Sequence, residues 1–213
     1  MEFKIFNNIQ KNKVDDFLKK VSLHKQKYKR GECILKSGNT TDKIHMINSG
    51  SIEVVHYDFW GNKFIIGNFT KGNMFAESYA LSKVKELQVD VYALEETEIF
   101  SFSTANIVDI CFQIDCPKLI SNLLEEISNK NFHLAKRLQL VTQKGVRKKI
   151  LLYLSDYSKS IGKTTFKIPL NRQQLADYLS VDRSGLSAIL VQLKKDKILD
   201  FRRNYFTLYN NDN

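Results

Sequence analysis

Cysteine is scarce in this chain: its 213 residues hold three, Cys33, Cys111 and Cys116. None forms a C-x-x-C pair, which argues against a disulfide framework or a cysteine-rich metal site. Proline is rarer still, with Pro117 and Pro169 alone. No apolar run approaches the ~20 residues of a membrane-spanning helix, so no membrane partner is expected. The opening, MEFKIFNNIQKNKVDDF, carries acidic residues and no signal-peptide apolar region. The simplest setting is the cytoplasm. Catalytic signatures are absent as well. There is no G-x-S-x-G, no P-loop and no H-E-x-x-H, and no cysteine has a suitably placed partner in sequence. An enzyme reading has no residues to stand on, and neither a catalytic group nor a metal is expected.

Charge is plentiful but unevenly placed. Residues 1–115 hold 15 Lys+Arg against 15 Asp+Glu, whereas residues 116–213 hold 18 against 8. The whole net charge of +10 therefore lies in the C-terminal part. Solvated charges would scatter more evenly; segregation of this kind suits binding to nucleic-acid phosphate.

The positive part contains LNRQQLADYLSVDRSGLSAILVQLKKDKIL, residues 170–199. It reads as two short helices joined by a tight turn. Leu175, Ala176 and Leu179 share one face of the first. Leu186, Ile189, Leu190 and Leu193 have the i, i+3, i+4, i+7 spacing of the second. Asp182 suits its N-cap, with a carboxylate able to accept from backbone N–H groups near Gly185. With Leu186 inward, the helix turns Ser184, Ser187, Ala188, Val191 and Lys195 outward, and Arg183 flanks the first turn. That outer face is small at its N-terminal end, as entry into a DNA major groove requires. The plain alternative is a helical hairpin in an ordinary core.

Elsewhere the chain changes texture by segment. Residues 1–27 read as one or two amphipathic helices with Val14, Phe17, Leu18 and Val21 inward. From Tyr28 to Phe102, β-like runs such as 44–47, 51–57, 64–69 and 97–102 alternate with glycines. Asn48-Ser49-Gly50 and Trp60-Gly61-Asn62 read as turns, and the whole as a small antiparallel barrel or roll. Ser103 is the expected cap of a short helix running to Ile114. A long helix follows from Pro117 to about Thr142. Its Ile120, Leu124, Ile127, Asn131, Leu134, Leu138 and Val141 form a heptad seam, apolar except at Asn131. Gln143-Lys144-Gly145 reads as a hinge, and 146–160 as a helix with Arg147, Lys148 and Lys149 at its start. Those three suit either a DNA backbone or a solvated face. Phe166-Lys167-Ile168 is a short strand. Ile198–Leu208 reads as a hairpin in which Leu199 and Phe201 pair with Phe206 and Leu208, with Arg202 and Arg203 at its tip.

Three stretches carry a resemblance. Tyr28-Lys29-Arg30-Gly31-Glu32-x-Ile34 with Gly38, Ile44-x-x-Ile47-x-x-Gly50-x-Ile52-x-Val54, and Gly72-Asn73-Met74-Phe75-Ala76-Glu77 are similar, in order and spacing, to a cyclic-nucleotide-binding β-roll and its phosphate-binding cassette. With the helix-turn-helix, the layout resembles the Crp/Fnr superfamily of bacterial transcription regulators over roughly 28–208. The resemblance implies an α+β chain: a cyclic-nucleotide-binding-like β-roll domain (1–115), a long dimerisation helix (116–142) and a winged helix-turn-helix DNA-binding domain (143–213). It implies a homodimer on double-stranded, palindromic operator DNA, and it admits RNA polymerase as a further partner. The seam then pairs two chains, with Asn131 setting register or facing a ligand.

The resemblance also bears on the effector. In cyclic-AMP-binding relatives the cassette carries a glycine and a glutamate, then an arginine–serine pair about ten residues on. Here Ala76 replaces the glycine, Glu77 is kept, and Leu87 and Gln88 fall at the arginine and serine positions. Leucine cannot neutralise a buried phosphate, which needs a charged, bidentate partner. Cyclic AMP is therefore not the expected effector. Lys83 and Lys85 read as exposed loop charges; a rearranged cassette that used them is the alternative. No cofactor is expected. The cysteine spacing does not fit an iron–sulfur sensor, and His24, His45, His56 and His133 are haem ligands by type only. Cys111 and Cys116 read as buried, inert thiols, with a thiol switch as the alternative. There remains a small effector near Ala76, Glu77, Leu87, Gln88, Asn131 and Phe132, or a regulator without one.

For DNA, the residues implied are Arg183, Ser184, Ser187 and Ala188 on the recognition helix, with Arg172, Lys148, Arg202 and Arg203 around it. The family's arginine contact falls on Arg183; its glutamate and later arginine fall on Ser184 and Ala188, so base preference should differ from that of the cyclic-AMP receptor protein. The rival from another class is a winged helix that recognises protein rather than DNA.

Overall fold

The computed structural model describes residues 3–209. They form two compact units, divided between Ser128 and Asn129. The division falls inside one element, the long helix α4 (Pro117–Val141).

The first unit opens with a 3-10 turn (Lys4–Phe6) and α1 (Lys11–Lys20). Next come β1 (His24–Tyr28), β2 (Cys33–Leu35), β3 (Lys43–Ser49), β4 (Ser51–Tyr57), β5 (Lys63–Thr70) and β6 (Met74–Phe75). Helix α2 (Glu77–Leu81), β7 (Asp90–Ala93), β8 (Thr97–Ser103) and α3 (Ile107–Gln113) complete it. The strands make two antiparallel sheets, ordered β1-β8-β3-β6 and β2-β7-β4-β5. Residues of a strand alternate between faces, and β3 uses both. Ile44 and Met46 join Phe17, Phe100, Phe102 and Leu119 in one core, while Ile47 joins Ile52, Val54, Phe75 and Ile99 in another. The second core draws on both sheets and so closes the roll. Asn122 of α4 is buried, and its amide donates to the carbonyls of Ile5 (3.0 Å) and Asn7 (2.8 Å).

Two expectations are corrected here. The residues 24–27 are strand, not helix: β1 pairs with β8 from His24↔Ser101 to Tyr28↔Thr97. Its first four side chains are exposed, so HKQKY carries no alternating apolar signal. Ser103 does not cap a helix. It ends β8, and its hydroxyl accepts from the Ala105 N–H at 3.1 Å and donates to Asp42. Helix α3 begins later, at Ile107, after Asn106 in the left-handed region.

The second unit contains α5 (Val146–Ile161), β9 (Thr165–Lys167), α6 (Arg172–Leu179), α7 (Arg183–Lys195), β10 (Leu199–Arg202) and β11 (Tyr205–Leu208). Its sheet is ordered β10-β11-β9. The hairpin register is Leu199↔Leu208 and Phe201↔Phe206, as the apolar alternation predicts. Ile150, Leu154, Leu175, Ala176, Leu179, Leu186, Leu190 and Leu193 are buried together with Phe166 and Phe206. Among the described residues no helix is long and apolar enough to cross a membrane.

The β3–β4 turn depends on Gly50. It has φ +84°, and a Cβ built there would lie 2.4 Å from Thr97 Oγ1 and 2.6 Å from the Glu96 carbonyl oxygen. Gly61, in the β4–β5 turn, has φ +83° but open space around it. Gly50→Ala should therefore lower the unfolding free energy by about 3 kcal/mol, and Gly61→Ala by about 1 kcal/mol, since the second bears only the left-handed backbone cost. Urea unfolding followed by circular dichroism will measure both; equal losses would refute the packing argument.

Candidate DNA interface and sensor site

Helix α7 is built to present its outer face. The Asp182 carboxylate accepts from the Gly185 N–H at 2.6 Å and from the Ser184 hydroxyl at 2.5 Å. These bonds, the Ser184 hydroxyl first, lower the Asp182 pKa. The bond from the Gly185 N–H satisfies a free backbone donor of the first turn. Helix α6 has a capping box that the sequence reading did not register: Asn171 Oδ1 accepts from the Gln174 N–H, and Gln174 Oε1 accepts from the Asn171 N–H, each at 2.9 Å. The signal was there, in Asn171-x-x-Gln174 ahead of an apolar pair. With Leu186, Leu190 and Leu193 buried, Arg183, Ser184, Ala188, Val191 and Lys195 are exposed and Ser187 is half-buried. The Ser187 hydroxyl donates to the Arg183 carbonyl at 2.9 Å, which leaves it free to accept.

The surrounding cations separate into different jobs. Arg147 pairs with Asp196 at 2.7 Å. The Lys149 ammonium donates to the Leu179 carbonyl at 3.1 Å, at the C-terminal end of α6. Of that run, Lys148 stays exposed. Arg202 and Arg203 are exposed at the hairpin tip, with Arg203 at φ +56°. Arg172 is half-buried. It donates to the Arg203 carbonyl at 3.0 Å and lies 5.1 Å from the centre of the Phe201 ring. Burial first, and the nearby Arg183 second, lower its pKa. Arg172 thus ties the start of α6 to the hairpin tip and brings a second cation near Arg183.

In the first unit the cassette runs through β6 into α2, which packs beside β3. Ala76 sits at φ +61°, in the region that favours glycine, and Glu77 is buried at the start of α2. Leu87 is 2% exposed, a core side chain at the position where cyclic-AMP-binding relatives carry arginine. Gln88 is exposed, and its carbonyl lies 3.0 Å from His56 Nδ1. The reading of Lys85 as an exposed loop charge is corrected: it is half-buried, and its ammonium donates to the Ala80 carbonyl at 2.5 Å, closing the end of α2. Lys83 is exposed. Asn131 and Phe132 belong to the second unit and are exposed there, with the Lys136 ammonium 4.7 Å from the Phe132 ring centre.

His45, on β3, was singled out by type alone and proves the most unusual polar group of the roll. It is 7% exposed, and its ring stacks on Phe75 with centroids 5.1 Å apart. Its Nε2 is buried without a hydrogen-bond partner among the protein's atoms.

Comparison with known proteins fits these parts. Residues 25–113 match the family model of the cyclic nucleotide-binding domain, and residues 148–212 that of the Crp-like helix-turn-helix domain. The chain belongs to the Crp/Fnr superfamily. It is 21% identical to Electron transport regulator A of Shewanella oneidensis over 92% of this chain and 78% of that protein. It is 19% identical to the Fumarate and nitrate reduction regulatory protein of Yersinia pestis over 92% of this chain and 79% of that one. The fold is that of the Catabolite Activator Protein of Thermus thermophilus, with a TM-score of 0.57 and 17% identity over 97% of this chain and 93% of that chain.

As a Crp/Fnr-family protein the chain is a DNA-binding transcription regulator and not an enzyme. The fold is the expected one, a β-roll, a long helix and a winged helix-turn-helix. Superfamily members differ in what they sense, and this chain has its own pattern. Among the described residues no group of three or more His, Cys, Asp or Glu is placed to hold a metal ion. Cys33 is exposed, Cys111 and Cys116 are buried, and burial pushes the Cys111 thiol up to about 11.

Burial, and secondarily Lys43, lowers the His45 pKa to about 4, with Asp42 acting weakly the other way. Above its unfolded value near 6.5 the imidazole is neutral in both states and contributes nothing to pH dependence. As the pH falls, the unfolded chain takes up the proton first. Stability should therefore decline between about pH 6.5 and pH 4, by about 2–3 kcal/mol in all. His45→Phe should remove that part of the decline. Unfolding curves of both proteins across this range will test it; parallel pH profiles would refute it.

Proposed function

We propose that this Crp/Fnr-family regulator acts as a homodimer that reads a palindromic operator with two α7 helices. The observation that carries the reading is the capped, outward-facing first turn of α7, where Arg183 is exposed beside small residues. Arg183 is the base-reading group, with Ser184, Ser187 and Ala188 forming the small surface that lets the helix approach. Lys148, Arg202 and Arg203 meet phosphate. Arg172 acts by holding the hairpin tip, with its remaining N–H groups available to the backbone of the DNA. The concentration of the net charge in residues 116–213 supports this arrangement.

Dimerisation follows from α4. Of its heptad positions, Ile120 and Ile127 are half-buried against the first core, but Leu124, Leu134 and Leu138 are 59–65% exposed. Asn131 is exposed among them and sets the register. Two parallel copies would bury these leucines and place the half-sites about 34 Å apart. We divide the chain functionally into a sensing roll (1–115), a pairing helix (116–142) and a DNA-binding domain (143–213). The cytoplasm is the site of action, where RNA polymerase is the partner that transcriptional control requires. The effector of the roll is not a cyclic nucleotide, because the phosphate position is held by buried Leu87 and Lys85 is engaged with the α2 carbonyl.

Arg183→Ala should weaken specific operator binding by about 1–3 kcal/mol. Lys148→Ala should weaken binding on all sequences alike and lower the salt slope by about one. Gel-shift titrations at several salt concentrations separate the two; an unchanged operator affinity would remove Arg183, and an unchanged slope Lys148. Leu134→Glu with Leu138→Glu should give a folded monomer in sedimentation, with operator affinity lost. A variant that stays dimeric would refute the seam.

A further inference from the structure

The inner face of sheet β1-β8-β3-β6 carries a row that the DNA-binding machinery does not use. His24 pairs with Ser101, Ser101 with His45, and His45 with Phe75. Residues directly opposite in antiparallel strands share a face. The row therefore crosses all four strands on the side that also carries Ile47 and Ile99. It begins at an exposed histidine on the edge strand β1, passes a buried one on β3 and ends at Phe75 on β6. Ser101, between them, is half-buried.

Two features mark this row as built for a ligand. A polar side chain in the wall of an apolar core costs stability unless it is hydrogen-bonded. His45 Nε2 has no such bond within the protein. The ring is also fixed, because Phe75 covers its face and strands flank it on both sides. A fixed imidazole with an unpaired edge nitrogen offers one directed hydrogen bond, in the plane of the ring.

We infer that His45 and Ser101 form the recognition end of a small-molecule site on this inner face, for an uncharged organic molecule with an apolar body and a hydroxyl or amide group. The inference rests on the proposed effector role of the roll and names the chemistry of what it senses. The hydroxyl or amide meets His45 Nε2 and the Ser101 hydroxyl; the apolar body enters by parting the packed side chains of Ile47 and Ile99, which are 0% and 2% exposed. The nearby charges do not favour an anion. Lys43 is balanced by Asp42 next to it in sequence, and Glu77 adds a buried carboxylate. A neutral imidazole, as burial keeps it, suits a neutral ligand.

Benzyl alcohol, a hydroxyl on an apolar body, is the probe. Titrated into the full-length chain labelled at histidine, it should shift the His45 ring resonances saturably and those of His133 not at all. Calorimetry should give an affinity about tenfold weaker in His45→Phe and in Ser101→Ala, the loss expected for one hydrogen bond. Ser101→Ala keeps the comparison valid should His45→Phe fold poorly. Inorganic phosphate and cyclic AMP should leave His45 unmoved. Three outcomes would overturn the inference: affinity unchanged in both variants, a His45 response to phosphate or cyclic AMP alone, or cross-relaxation of His45 only with a long-lived water and no response to benzyl alcohol. Gel shifts on genomic fragments without probe, run on the same proteins, test DNA binding separately. Their failure would strike the regulator reading while leaving the titration interpretable.

Discussion

The DNA-reading end of this protein depends on one carboxylate. Asp182 closes the first turn of α7, and everything that follows on that helix takes its orientation from there. A glycine suits the cap, because a Cβ on Gly185 would lie 2.6 Å from Asp182 Oδ2 and the carboxylate would have to turn to admit it. The Ser184 hydroxyl is drawn onto the same carboxylate. Side-chain bulk is thus kept away from the N-terminal end of the helix, and Arg183 is the long side chain left at its rim. A second side-chain-to-backbone bond, Arg172 to the Arg203 carbonyl, sets the hairpin tip relative to α6. Two polar contacts therefore fix the first turn of α7 and the hairpin tip, where Arg183 and Arg203 lie. The leucines beneath them supply the stability that lets the contacts hold their geometry.

The roll follows a different logic, in which three lysines near its strands and cassette are held by internal partners. Lys36 is bound to the buried Asp90 carboxylate, which also accepts from the Ser37 N–H and the Tyr92 hydroxyl. Lys63 pairs with Glu53, and Lys85 closes α2. A phosphate held by Lys36, Lys63 or Lys85 would cost a bond already made. His45 is the contrary case, a buried polar group that the fold leaves unmatched. Within one unit, then, Lys36, Lys63 and Lys85 are engaged, and the buried His45 Nε2 is not.

Much of this was legible beforehand wherever a feature depends on apolar periodicity or local turn chemistry. The strands over 51–57 and 64–69, the cap at Asp182 and the hairpin register all follow from spacing alone. What was not legible depends on partners distant in sequence. The strand HKQKY has exposed side chains and exists because β8 supplies its backbone bonds, about 75 residues on. Ser103 was assigned to a helix cap by type, yet its bonds go to Asp42 and the Ala105 N–H. Lys149, Arg147 and Arg172 looked equivalent to Lys148 and Arg203 as basic residues; only their contacts to Leu179, Asp196 and the Arg203 carbonyl tell them apart. His45 could not be told from the other three histidines because orphaning is a property of surroundings, not of residue type.

The separation of charge has a consequence for regulation. Residues 1–115 carry no net charge, so the roll adds little to the attraction for DNA, and an uncharged ligand bound there would leave that attraction as it was. Such a ligand alters DNA affinity only by favouring one arrangement of the chain over another. The element common to both units is α4, whose first half packs with Phe17 and Phe102 and whose Leu140 packs with Ile150 and Leu154. Its exposed leucines lie on the same helix. Under the proposed pairing, a ligand that changed the packing of α4 in the roll would act through this helix rather than through charge. An uncharged effector of the roll would on this ground change the salt dependence of DNA binding only weakly.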